Sequence, residues 1–244
     1  VFVSICIPTY NGEKYLRQCL DSCLEQDYQQ YEIVICDDAS TDGTLAILES
    51  YAKMHAKIRL FKSEKNAGLV ENWNACIAHS KGTWIKFVFQ DDYITTDCLT
   101  VFTKAIVESS HLIVCQRNFV LPVEADEATR AYYAQTVRTL ENTGEYHCNT
   151  FDSKQLSTIA IQNMCMNFIG EPSLIFLKKE LVSALGYFNP YLKQICDFEF
   201  ALRIGTNHGL TYIPEKLCAF RIHANSTTNS NLSAKYFILK YIEP

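Results

Sequence analysis

Much is missing from these 244 residues, and each absence removes a class of protein. No apolar run reaches the roughly 20 residues that a membrane-spanning helix needs, and no secretory leader pattern stands at the start. Lys and Arg number 22 against 27 Asp and Glu, a net charge of −5. Phosphate backbones are bound through excess basic side chains, so no nucleic-acid partner is expected. No CxxC pair is present, which removes the usual zinc frameworks. No proline-rich or low-complexity linker and no internal repeat divides the chain. One domain over residues 1–244 is therefore expected, long enough to bury a sizeable core. The first residue is Val1 and not Met, as expected of a piece of a longer chain.

What is present begins with eleven cysteines. Cys6, Cys36 and Cys115 lie in apolar strand-like runs, while Cys19, Cys23 and Cys76 follow helical spacing. Free cysteine behaves this way, as a small core residue, and a reducing cytoplasm is the expected compartment. The sequons at Asn225 and Asn231 then carry no glycan.

The first hundred residues alternate strand and helix patterns. Val3 to Ile7 reads as a strand ended by Pro8, and Asn11 as the cap of a helix with Leu16, Cys19, Leu20 and Cys23 on one stripe. Ile33–Cys36, Ile58–Phe61 and Trp84–Phe89 read as strands. Between them lie helices carrying Leu45 and Leu48, capped by Ser40 or Asp42, and then Leu69, Trp73, Cys76 and Ile77. That order implies an α/β fold with a mostly parallel central sheet and helices on both faces. Ligands in such sheets sit beyond the carboxyl ends of the strands. Pro8-Thr9, Asp37-Asp38 and Asp91-Asp92 all stand at such ends.

Adjacent carboxylates raise each other's pKa unless something neutralises them. A divalent cation does so, and Mg²⁺ typically takes one or two carboxylates plus substrate phosphates. Asp91 is read as such a ligand, while Asp92 either joins it or caps the segment from Thr95 to Glu108. Asp37 and Asp38 either accept hydrogen bonds from a nucleobase or ribose, or cap the next helix. A phosphorelay receiver domain also gathers strand-end acids, but it places them after its first strand, which here ends in "PTYNG".

The stretch "VSICIPTYNGEKYLRQCLDSCLEQDYQQYEIVICDDASTDGT" resembles the opening of family 2 glycosyltransferases, inverting enzymes of the GT-A fold. The match continues through "EKNAGLVENWNACIAHSKGTWIKFVFQDD" and, more loosely, to "RIHANSTTN". The resemblance implies a nucleotide-binding half (1–95) and an acceptor-side half (96–244) with a C-terminal helix. Pro8, Thr9 and Tyr10 would line the nucleotide pocket, and Asp37 or Asp38 would bind the base, most often uracil. Asn66 and Gly68 would lie against the nucleotide, Asn74 near the diphosphate-sugar, and Gln90 beside them. The family's Asp-x-Asp metal motif is altered: Phe89 takes the first position and only Asp91 remains of the pair. Asp92 would orient the sugar or a metal-bound water, and a late histidine, His223, would reach the metal or diphosphate.

In "KQICDFEFALRIG" the resemblance puts the catalytic base at Asp197 and a second acid at Glu199, with Cys196 replacing a leading Glu. A helix N-terminus favours the ionised carboxylate that a base requires; Asp is equally a common helix cap. Glu171 in "GEPS" is a weaker base candidate, a sugar-hydroxyl partner or a turn residue. Acceptor choice is assigned to Glu124–Thr150 and Met164–Glu171. The tail "LSAKYFILKYIEP" reads as a helix packed on the domain, or as a docking face for a membrane surface or a partner chain such as a second copy.

The resulting expectation is an inverting glycosyltransferase using a nucleotide-diphospho-sugar, with UDP favoured, and Mg²⁺ or Mn²⁺. Its acceptor would be a saccharide or glycolipid, in surface polysaccharide synthesis. Two alternatives are a catalytically weak sugar-nucleotide-binding module, given Phe89 and Cys196, and a sugar nucleotidyltransferase. The latter normally carries a glycine-rich basic loop after the first strand, where this chain has only Gly12.

Overall fold

A computed structural model describes residues 1–135, 140, 149–163, 166–192 and 195–223. The tail from 224, both sequons and part of the two acceptor-side stretches lie outside these residues.

The chain opens with β1 (Val3–Thr9), α1 (Leu16–Leu24), β2 (Tyr31–Asp37), α2 (Thr44–Met54), β3 (Ile58–Lys62), α3 (Leu69–His79) and β4 (Trp84–Phe87). Then come β5 (Tyr93–Ile94), α4 (Cys98–Lys104), β6 (Leu112–Val120), α5 (Glu127–Gln135), β7 (Thr150–Phe151) and α6 (Ser153–Gln162). After a 3₁₀ turn at Pro172–Leu174 follow β8 (Ile175–Lys178), α7 (Glu180–Leu185), α8 (Cys196–His208) and β9 (Leu210–Arg221).

The described strands form one nine-stranded sheet in the order β3-β2-β1-β4-β8-β6-β9-β5, with β7 on β9. From β3 to β4 every pairing is parallel. Beyond β4 the sheet is mixed: β8 is antiparallel to both β4 and β6, and β6 is parallel to β9. Every residue of β1 and β2 is buried, and successive side chains point to opposite faces, so both faces there are covered.

Two local readings shift. Pro8 stays inside β1, paired with Cys36, because the ladder to β4 ends at Cys6–Phe87 and no neighbour there requires a proline N–H. Asn11 does not cap α1, which starts without a side-chain cap. Its backbone is left-handed (φ 48°) and its Oδ1 accepts the Thr41 N–H at 2.8 Å, tying the loop after β1 to the loop after β2. Leu210–Arg221 is one strand, with the pairing to β6 shifting register around Gln116.

At the amino end of the sheet, Glu32 gathers the Ser4 hydroxyl (2.7 Å), the Lys81 N–H (2.6 Å) and the Arg59 guanidinium (2.8 Å). Burial pushes its carboxyl up, but these three donors together hold it below the usual range. An aromatic cluster joins the halves: Trp73 of α3 lies 4.8 Å from the ring of Phe89 and 5.2 Å from Phe188, which stacks on Phe200 of α8 at 3.9 Å.

Candidate active site

The parallel ladder brings the carboxyl ends of β1, β2 and β4 to one rim, and the strand-end acids meet there in two groups. In the first, Asp37 accepts the hydroxyls of Thr9 (3.1 Å) and Ser40 (2.6 Å) and the Ser40 N–H (3.0 Å). Asp38 accepts the N–H groups of Ala67 (2.7 Å) and Gly68 (2.9 Å). Both carboxylates are buried. They thus hold the "KNAG" loop and the end of β1 in shape, with Asn66 exposed in that loop. Gly68 has φ +97° with open space around it, a conformation that suits glycine as the residue before α3. Asn72 donates to the Thr9 carbonyl (3.2 Å), and its buried Oδ1 has no hydrogen-bond partner among the described residues.

Tyr10 follows Thr9 and is 45% exposed at the rim. Gln90 turns its amide toward it, accepting the Tyr10 N–H and donating to the Tyr10 carbonyl, both at 2.9 Å. Its amide therefore latches the loop after β1 to the loop after β4, as a strand neighbour would.

The second group is built from both halves. Asp91 Oδ2 lies 2.9 Å from His223 Nε2. Arg221, the last residue of β9, donates its Nε–H to the Asp91 carbonyl (3.0 Å) and packs its guanidinium 4.5 Å from the Tyr15 ring. Asp92 differs from the sequence expectation, which put it on the sugar or a metal-bound water. It is 2% exposed, and its oxygens accept the Ser173 hydroxyl (2.6 Å) and the Arg221 N–H (3.1 Å). Burial, and then the charge of Asp91, push its carboxyl well above the usual range against the pull of those two donors.

Glu171 pairs with the buried Arg117 at 3.1 Å, and its side chain keeps partial exposure. Asn74 is spent on the backbone of Phe188, donating to its carbonyl (2.9 Å) and accepting its N–H (3.0 Å). Glu199 is spent on Arg203 (2.6 Å), whose guanidinium also donates to the carbonyls of Leu185, Gly186 and Tyr187. These clamps fix the segment leading to α8, where Asp197 sits half-buried in the first turn and accepts the Phe198 N–H at 2.8 Å. A cleft of about 720 Å³ runs between α3 and this segment, lined by Glu71, Asn74, Tyr187 and Arg203 among others; none of the rim acids lines it.

Of the residues read from the sequence, the structure thus brings Thr9 to Asp37, Tyr10 to Gln90, and Asp91 to His223. It buries Asp37, Asp38 and Asp92, against the expectation that they touch the base or the sugar, and ties Asn74 and Glu199 to protein partners. Ser173, Arg117 and Lys86 were not singled out, although a lysine inside "WIKFVF" is an oddity that marks itself.

A parallel half with an acid rim, joined to a mixed half that returns a histidine to that rim, is the architecture of a GT-A glycosyltransferase. The Glycosyl transferase family 2 model matches residues 4–167, and the chain belongs to that family. An uncharacterised protein of Mycobacterium tuberculosis is 26% identical over 239 residues, which are 95% of this chain and 70% of that protein. The chondroitin synthase of Escherichia coli is 40% identical over 106 residues, 42% of this chain but 15% of the synthase.

Among solved structures, S. aureus TarS in complex with UDP-GlcNAc matches with a TM-score of 0.68 at 21% identity, over 94% of this chain and 61% of TarS. The mannosyltransferase PcManGT from Pyrobaculum calidifontis, in complex with GDP-Man and Mn²⁺, matches with a TM-score of 0.69 at 20% identity, over 98% and 62% of the two chains. These two likenesses are of fold. The chain spans about three fifths of both solved relatives and a small part of the synthase. Among the described residues no helix is long and apolar enough to cross a membrane.

Proposed function

We propose that this chain is the catalytic domain of an inverting glycosyltransferase that moves a sugar from a UDP-sugar to a hydroxyl of a saccharide or glycolipid. The observation that carries the reading is the meeting of Asp91 and His223, remote in sequence, at the strand-end rim. TarS binds UDP-GlcNAc on this fold, which supports the uridine donor; PcManGT with GDP-Man makes guanosine the second choice. The described cysteines are free and buried, as a reducing cytoplasm allows.

Asp91 and His223 are the residues that would hold a divalent cation. The pair supplies one oxygen and one nitrogen donor, and among the described residues no cluster of three or more His, Cys, Asp or Glu forms a metal site. Diphosphate oxygens and water would complete the shell. An imidazole donor shifts the preference from Mg²⁺, which demands oxygen, toward Mn²⁺. When bound, the cation supplies positive charge against the diphosphate as it departs.

The remaining work falls to protein groups. Tyr10, with the loop that Asp38 holds, forms the nucleotide wall, and the buried Thr9 supports it from behind. Asp197 takes the proton from the acceptor hydroxyl as that oxygen attacks the anomeric carbon on the face opposite the diphosphate. One displacement with one base inverts the centre, and no second nucleophilic carboxylate is required.

Calorimetric titration of UDP, GDP and CMP, with and without Mn²⁺, tests the donor site. UDP binding that requires Mn²⁺ and disappears in Asp91→Ala is the expected result; binding of none of the three under any condition rejects the transferase reading. For Asp197→Asn, turnover falls by about 10²–10⁴-fold while UDP binding is retained. An unchanged rate moves the base elsewhere, with Glu171 next in line.

A further inference from the structure

Asp92 has an unusual set of neighbours. Lys86 is fully buried in β4, and its ammonium donates to the Ser173 carbonyl, with Cys218 Sγ 3.5 Å away. The hydroxyl of Ser173 accepts the Phe89 N–H (3.3 Å) and donates to Asp92 Oδ2 (2.6 Å). Asp92 Oδ1 accepts the Arg221 N–H (3.1 Å). Two residues later His223 reaches Asp91. A continuous run of hydrogen bonds therefore leads from a core lysine to the end of β9.

The run has a topological reason. On one side β9 is paired with β6 as far as Arg221. On its other side β5 covers only Cys218 and Ala219. The Arg221 N–H thus lies beyond the last β5 partner, and the Asp92 side chain takes the place of a further strand residue. Ser173 and Asp92 are 1% and 2% exposed, so neither is placed to touch a substrate; they can set where His223 emerges relative to Asp91.

We infer that Ser173 is a positioning residue for the Asp91–His223 pair, acting through Asp92 and anchored by Lys86, and that Asp92 is a strut rather than a ligand. The inference rests on the donor-site reading above. A strut needs hydrogen-bonding shape and not charge. In Asp92→Asn the amide oxygen still accepts the Arg221 N–H, and the amide N–H₂ donates to Ser173 Oγ. In Asp92→Ala and Ser173→Ala the run is cut.

The test combines calorimetry of UDP with and without Mn²⁺ and amide hydrogen exchange over residues 218–223, on the full chain. Ser173→Ala and Asp92→Ala should weaken Mn²⁺-dependent UDP binding by about 10–100-fold, as loss of an outer-shell partner does, and speed exchange at Arg221. Asp92→Asn should stay within about threefold of wild type, because the Arg221 N–H keeps its acceptor and Ser173 Oγ keeps a bond to position 92 once its own O–H rotates away. Equal damage from Asp92→Asn and Asp92→Ala overturns the inference, since charge is then what matters. Wild-type behaviour of Ser173→Ala overturns it as well. If the unsubstituted chain shows no Mn²⁺-dependent UDP binding, the donor reading fails instead. Arg221 exchange in Ser173→Ala then decides the strut: faster exchange sustains it, and an unchanged rate ends it.

Discussion

Two pairs of adjacent aspartates end two neighbouring parts of one sheet, and they meet different fates. Asp37 and Asp38 find their donors in loops of the same parallel half, and both are buried there. Asp91 and Asp92 find theirs across the junction, in β9 and the turn before β8. The first pair is internal scaffolding for the loops that follow β2 and β3. The second divides its labour, one carboxylate left at the rim and the other drawn in. An identical dipeptide therefore carries no fixed role; which backbone N–H groups lie unpaired nearby decides it.

The sharpest way to break the comparison is to remove one member of each pair. Asp38→Ala strands two backbone N–H groups, and a cost of about 3 kcal/mol in unfolding free energy follows from the usual penalty for lost charged partners. Asp91→Ala should change unfolding free energy by no more than about 0.5 kcal/mol, as at an ordinary surface site, while losing Mn²⁺-dependent UDP binding. Urea denaturation of the two variants measures both; similar costs would mean that the pairs are not distinguished as described.

A smaller effect is expected where the family motif is altered. Phe89 occupies the place of the motif's first acid and packs on Trp73. Phe89→Asp restores the motif on paper, yet it puts a carboxylate against an indole in the core that joins the halves. Destabilisation by about 2 kcal/mol is expected, from lost aromatic packing and a poorly solvated charge, with no gain in Mn²⁺ affinity. A tighter Mn²⁺ complex would show that position 89 faces the rim.

The smallest effect concerns Glu32, a buried acid satisfied as Asp38 is but far from the rim. Its folded pKa is depressed. Its contribution is therefore complete above the unfolded value near 4.3 and disappears as pH falls through the folded one. Glu32→Gln should cost about 1 kcal/mol at pH 7, for a partly screened ion pair with hydrogen bonds, and the gap to wild type should close on acidification. A gap that stays constant down to pH 2 contradicts the assignment.

These contrasts mark how far the sequence could be read. Apolar runs, their spacing and the acids at their ends were enough to place β1 through β4 and α1 through α3, because a covered parallel sheet leaves a strong periodic trace. His223 and Asp91 were legible through family resemblance, and the structure brings them together. What escaped was the direction of polar side chains. Gln90, Asn74 and Asp92 were each read toward a ligand, yet each is consumed by a backbone group many residues away, which no local pattern encodes. Glu199 and Arg203 are an exception, since their four-residue separation announces an ion pair along one helix. Ser173 was visible only as the end of "GEPS"; a serine before a strand has too many ordinary uses.

The amide latch between Gln90 and Tyr10 leaves one further mark. A Cβ built on Gly12 would stand 2.2 Å from Gln90 Oε1. The glutamine can swing aside, but only by surrendering both bonds to Tyr10, so the cost of a side chain at position 12 is levied at position 90. The two sites should behave as one heritable unit: Gly12→Ala is damaging alone and nearly silent once Gln90 is already shortened to Ala. A double-mutant cycle would register this as a coupling energy of about 1 kcal/mol or more. Any attempt to redesign the loop after β1 must therefore begin at Gln90.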